Sequence, residues 1–94
     1  MITVWKWDIP WRGGSDEFGL NMPRGARLLS VQRQNGEPRL WAMVDTDEAT
    51  EIRWFLLAGT NRPVPRPGEM EYIGTVLLLA DTLVLHVFEV PTGG

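Results

Sequence analysis

Along most of the chain Trp, Phe and Tyr interleave with Val, Leu, Ile and Thr in short apolar-rich runs, and Gly, Pro, Asn and Asp cut these runs at short intervals. In an extended strand successive side chains point to opposite faces, so the pattern predicts strands at 2–7, 17–22, 27–34, 39–44, 51–58, 71–79 and 82–90. A short helical turn within 47–50 is allowed for, and no segment has the length and 3.6-residue period of a substantial helix. Short strands at this regular spacing predict an all-β fold, a single-domain antiparallel β-sandwich of about seven strands over residues 1–94.

The breaks between strands have their own chemistry. Asn35-Gly36 supplies two residues that tolerate positive φ, which a type I′ hairpin requires. Gly13-Gly14-Ser15, Pro23-Arg24-Gly25 and Ala80-Asp81 mark further turns. The segment Asn61-Arg62-Pro63-Val64-Pro65-Arg66-Pro67-Gly68 differs from these. Its alternating prolines fix an extended, polyproline-like path and remove ladder donors, so it is read as an ordered surface loop.

Several strands are apolar on both faces. Leu40, Ala42 and Val44 oppose Trp41 and Met43; Ile52, Trp54 and Leu56 oppose Phe55 and Leu57; Leu83, Leu85 and Val87 oppose Val84, His86 and Phe88. An antiparallel sandwich normally turns one face to water, so the surplus implies covering loops, a closed barrel or a partner. A homo-oligomer is the expectation.

Composition narrows the functions. The 94 residues carry 9 Lys and Arg against 12 Asp and Glu, a net charge of -3, which argues against broad capture of extended nucleic acid or a membrane surface. With no cysteine there is no disulfide framework and no thiolate chemistry, and the cytoplasm is the expected compartment. A basic region followed by a long apolar stretch is not found at residues 1–8, and the longest later apolar run, 76–80, is too short to span a bilayer, so neither signal peptide nor membrane helix is expected.

Catalytic constellations are sparse. The sole histidine, His86, lies in an apolar strand and reads as a packed or rim residue, or as a ligand contact. Zinc and transition-metal sites require several His, Cys or carboxylate ligands, so one His and no Cys argue against them. The start Asp45-Thr46-Asp47-Glu48 fails as a calcium loop at Ala49, Thr50 and Leu56. No phosphate-cradling glycine loop occurs, and acidic pairs such as Asp47 and Glu48 or Glu69 and Glu71 read as solvated turn residues. The expectation is a binding protein without enzymatic activity and without a cofactor or metal.

Two constellations suit binding. Within the proline-rich loop, Arg62 and Arg66 can clamp a phosphate or carboxylate while Asn61 hydrogen-bonds it, and rigidity lowers the entropy lost on binding. Among the tryptophans, Trp41 and Trp11 can stack on a base; Trp11 falls between Pro10 and Arg12-Gly13-Gly14, where core burial is harder to arrange. Arg24 and Arg27 are reserve cations.

The blocks Met22-Pro23-Arg24-Gly25-Ala26, Gln34-Asn35-Gly36-Glu37-Pro38 with Leu40-Trp41-Ala42, Ala58-Gly59-Thr60, Tyr72-Ile73-Gly74-Thr75-Val76 and His86-Val87-Phe88-Glu89, in this order and spacing, resemble a family of small, mostly uncharacterised β-rich proteins of bacteriophages and prophages, particularly actinobacterial ones. The chain departs from that pattern at Asn61, where glycine is common, and in the proline-rich loop that follows. The resemblance implies a compact β-rich fold and an accessory, non-virion role in the cytoplasm of an infected host. It directs the function towards counter-defence by sequestering a small anionic, nucleotide-type immune signal at a subunit boundary. The alternatives are a module that blocks a host protein and a minor virion component.

Overall fold

The computed structural model describes residues 1–13 and 16–91, and within them the chain forms seven strands in two antiparallel sheets. They are β1 (Ile2–Asp8), β2 (Glu17–Pro23), β3 (Arg27–Gln34), β4 (Glu37–Asp45), β5 (Thr50–Gly59), β6 (Glu71–Leu78) and β7 (Leu83–Val90). Sheet A has the order β1-β4-β3 and sheet B the order β2-β5-β7-β6. Their apolar inner faces share one core built around Leu40, Ala42 and Val44 of β4, Phe55 and Leu57 of β5, Val76 and Leu78 of β6 and Val87 of β7. Phe18 stacks on Phe55 with ring centroids 5.5 Å apart. Each such side chain removed from water stabilises the fold by roughly 1.5–3 kcal/mol, which is how so short a chain offsets its ordering entropy.

Local sequence explains the elements. Asn35 and Gly36 have φ of 52° and 79°, the left-handed pair of a type I′ turn, so pairing resumes at once with Gln34 opposite Glu37. Pro38 thus lies inside β4, which starts at Glu37, two residues ahead of the expected 39, and it ends the β1 ladder. The Ile9 N–H donates to the Pro38 carbonyl at 3.1 Å, but Pro38 has no N–H to return; the Ile9 carbonyl accepts from the Trp11 N–H at 2.9 Å instead. That contact draws Trp11 in. Its ring packs partly buried against the core, a correction to the expectation that a turn would keep it out.

The helical turn allowed for at 47–50 does not form. Asp45 holds a plain turn there, its carboxylate accepting the Asp47 N–H at 3.0 Å and its carbonyl the Glu48 N–H at 3.1 Å. Among the described residues a single 3-10 turn occurs, at Pro67–Glu69, where Pro67 presets the helical φ. Gly14 and Ser15 of the first expected turn lie outside the described residues.

Bulges at Leu28/Ser30 in β3 and Tyr72/Gly74 in β6 bend these edge strands towards each other and close one side of the sandwich. A Cβ at Gly74 would lie 3.2 Å from the Val31 Cβ, which is why the closest approach falls on a glycine. The Arg33 Nη1 donates to the Leu77 carbonyl across the same seam at 3.3 Å.

Candidate functional site

Residues 60–70 run across the outer face of sheet B as a strap. Val64 and Met70 pack over Leu56, Ala58, Val90 and the half-buried Phe88, a small second core outside the sheet. A loop of the same chain thereby covers the Leu56 and Ala58 end of β5's outer face, while Ile52 and Trp54 on that face stay exposed. Asn61 and Arg66 adopt left-handed φ of 69° and 53°, which turn the strap on and off the sheet, and the Arg62 N–H closes the first turn on the Gly59 carbonyl at 3.1 Å.

Where the strap leaves β5, four side chains from distant parts of the chain form one hydrogen-bonded row. The Tyr72 hydroxyl lies 2.6 Å from Thr75 Oγ1, Thr75 Oγ1 lies 3.0 Å from His86 Nδ1, and His86 Nε2 lies 2.9 Å from Thr60 Oγ1. Register explains the row. Thr75 and Ala58 flank His86 on the neighbouring strands, and Tyr72 is opposite Phe88, so one outward-facing file crosses β6, β7 and the end of β5. With both ring nitrogens engaged by hydroxyls, the imidazole is held in one orientation. Beside Thr60 stand Asn61 and Arg62, both exposed, and the Arg62 guanidinium has no hydrogen bond or ion pair among the described residues. Arg66 reaches Glu17 only at 3.9 Å. Arg62 on the strap and Arg27 on β3 are thus the arginines without a hydrogen bond or ion pair among the described residues, and Arg27 faces the acidic cleft of Glu71 and Glu89.

The other expected residues fall elsewhere. Trp41 is on the outer face of sheet A, on the far side of the core from the strap. Trp11 donates its indole N–H to Glu37 Oε2 at 2.7 Å, under the Arg12 guanidinium 4.3 Å from its ring centroid, and Arg12 pairs with the same carboxylate at 2.6 Å. These contacts hold Glu37 below the usual carboxylate range, the Trp11 N–H contributing most and Arg12 next. Arg24 sits in the β2–β3 turn, 3.9 Å from Glu51. Arg27 opens β3 on the rim of a cleft of about 340 Å3 shared with Arg53, Glu71 and Glu89. Within one chain, then, the structure joins Asn61, Arg62 and Arg66 along the strap and separates them from both tryptophans, Arg24 and Arg27.

A cleft of about 420 Å3 lies at the open end of the sandwich, but Glu51, Glu69, Glu71 and Glu89 line it against Arg53 alone. Arg53 is committed: it pairs with Glu89 through Nε at 2.7 Å and Nη2 at 2.9 Å and donates to the Ala26 carbonyl. Hydrogen bonding to Glu89 drives the Arg53 pKa up. That end repels anions. Among the described residues no cluster of three or more His, Asp or Glu could hold a metal ion, and no helix is long and apolar enough to cross a membrane.

Sequence reasoning gave His86 as a single structural or ligand-contacting residue and did not single out Thr60, Tyr72 or Thr75. Their spacing of 60, 72, 75 and 86 has no periodicity; only the β6–β7 register, shifted by the bulge at Tyr72/Gly74, brings them into line.

No curated protein and no solved structure is detectably similar to the chain. A family model does match, over residues 1–93, and the chain belongs to that family, described as a domain of unknown function (DUF7352).

Proposed function

We propose that this is a non-enzymatic binding protein that captures a small anionic ligand on the outer face of sheet B, at the root of the strap. The carrying observation is the pairing of an exposed Arg62 guanidinium, without a partner among the described residues, with the adjacent hydroxyl–imidazole row from Thr60 to Tyr72. Arginine supplies charge-assisted hydrogen bonds to a phosphate, while oriented neutral hydroxyls and an amide add specificity for the rest of a nucleotide-type ligand. Tyr72, 57% exposed, offers the aromatic surface nearest that row for a base, a role the distant Trp41 cannot fill within one chain. The acidic open end supports the same choice by being unfit for anions.

The resemblance to small phage and prophage proteins extends this reading to biology. On it, the ligand is a nucleotide immune signal, and the protein sequesters it in the cytoplasm of the infected host. Binding without turnover is what such a role requires.

Calorimetric titration with cyclic and linear nucleotides and with inorganic phosphate tests the reading. Arg62→Ala should weaken binding about 10- to 100-fold, the equivalent of one charge-assisted hydrogen bond, with an unchanged thermal midpoint. Unchanged affinity in an Arg62→Ala, Arg66→Ala double variant, or no nucleotide bound at all, overturns it.

A further inference from the structure

The two sheets leave strands β1 and β2 as neighbouring edges on the side opposite the β3–β6 seam, and the two edges are not alike. Just past β4 the Thr46 N–H donates to the Met1 carbonyl, and on β4 the Pro38 carbonyl accepts from Ile9, so Thr3, Trp5 and Trp7 turn their backbone groups towards β4. The alternate residues Ile2, Val4, Lys6 and Asp8 therefore direct four N–H and four C=O groups outward, with no partner among the described residues. The same logic on β2 aims Glu17, Gly19, Asn21 and Pro23 outward, but that edge is blunted. Pro23 has no N–H, and the Asn21 carbonyl is capped by the Trp7 indole N–H at 2.9 Å.

Edge strands are commonly guarded by charge. Both charges of β1 instead turn back over their own sheet. Lys6 reaches Gln34 on β3 at 2.7 Å, and Asp8 pairs with Arg39 on β4. What flanks the open row is apolar and exposed: Ile2 at 63%, Val4 at 51% and Trp5 at 42%.

We propose that the occupant of this edge is a second copy of the chain, paired antiparallel through β1 about a two-fold axis at Trp5. Seven residues, Ile2–Asp8, are centred on Trp5, and only the register centred there uses all four donors and all four acceptors of each strand. It sets Val4 against the Lys6 stem of the other copy and Trp5 against Trp5. The strand's own charges, one lysine and one aspartate, cancel, so the net charge of -3 is not concentrated at the contact. Sheet A then grows from three strands to six with an isologous interface. A strand of this length is roughly 23 Å long, and the sandwich is 20 Å thick. The contact is on the order of 450 Å2 per copy and 900 Å2 in total, near the lower bound of about 1,000 Å2 for a specific interface, which fits a concentration-dependent dimer.

Sedimentation velocity of the full chain from about 1 µM to about 1 mM, the range in which so small an interface associates, should show a mass rising towards twice 10.6 kDa. Trp5→Glu, which sets two carboxylates face to face, and Val4→Pro, which removes an outward N–H, should each hold it at 10.6 kDa with the β-sheet circular dichroism retained. Because the chain has no native cysteine, Trp5→Cys should cross-link to a covalent dimer on mild oxidation, whereas Trp54→Cys, equally exposed on sheet B, should not. A monomer throughout, a dimer that survives both edge variants, or a β1 edge occupied only by a different protein would overturn the proposal.

Discussion

The outer faces of the two sheets began with the same apolar surplus in sequence and meet it differently. Over sheet B a proline-stiffened strap lays Val64 and Met70 across Leu56, Ala58 and Val90. Over sheet A no segment of the described chain crosses, and Val4, Trp41 and Met43 share a face that only side chains span, Lys6 to Gln34 and Arg39 to Asp8. The difference lies in loop length. β3 and β4 are joined by two residues and cannot cover anything, whereas the β5–β6 connection runs from Thr60 to Met70 and has the reach to return over its own sheet. A long loop with alternating prolines and scattered apolar residues is thus a lid for the strand it leaves, because restricted φ lowers the entropy lost when it docks.

The sharpest way to break the comparison is to truncate one side chain on each face. Leu56→Ala, beneath the strap, should cost about 2–5 kcal/mol in urea unfolding, whereas Met43→Ala on the bare face should stay within about 0.5 kcal/mol. Equal losses would mean that sheet A is also covered. Next in size is Gly74→Ala, which forces a methyl against Val31 at the β3–β6 seam; about 1–3 kcal/mol of overpacking is expected, read as a lower thermal midpoint. Removing the strap's grip with Met70→Ala should cost about 1–2 kcal/mol and expose Phe88, raising the binding of a hydrophobic dye.

The smallest effect concerns pH and the end of sheet A. Glu37 is held below its usual pKa in the folded state by Trp11 and Arg12, so its contribution is full above the unfolded carboxylate value of about 4.3 and is lost as pH falls through the lower folded value. Glu37→Gln should flatten the acid limb of the stability curve below about pH 4 and leave the pH 7 to 8 region parallel to the wild type. An unchanged acid limb would detach Glu37 from the Trp11 contact.

Much of the fold was legible because its signals are local. The Asn35-Gly36 turn, the period-two faces and the proline-rich break depend on a few neighbouring residues, and each of the seven strands falls within two residues of its expected ends. Even the largest shift, at the start of β4, has a local cause: Pro38 continues the strand because it sits where only the β1 ladder misses its N–H. The candidate site was only half legible. Arg62 and Asn61 stand out by chemistry and local stiffness, but the hydroxyl–imidazole row is made by register across three strands. Trp11 was misjudged because its anchors, Ile9 and Glu37, become neighbours only after β1 pairs with β4.

The strand order of sheet B has a kinetic consequence. β7, last along the chain, is an interior strand between β5 and β6, so β6 has no ladder within its sheet until residues near 90 are available. The β3–β4 hairpin can form as soon as it is synthesised, but half the sandwich must wait for its final strand, and the long-range closures β1–β4 and β2–β5 add to the delay. Folding should therefore be slow and wait for β7, and a ribosome-bound chain stopped before residue 83 should present its β5 interior to proteases and chaperones.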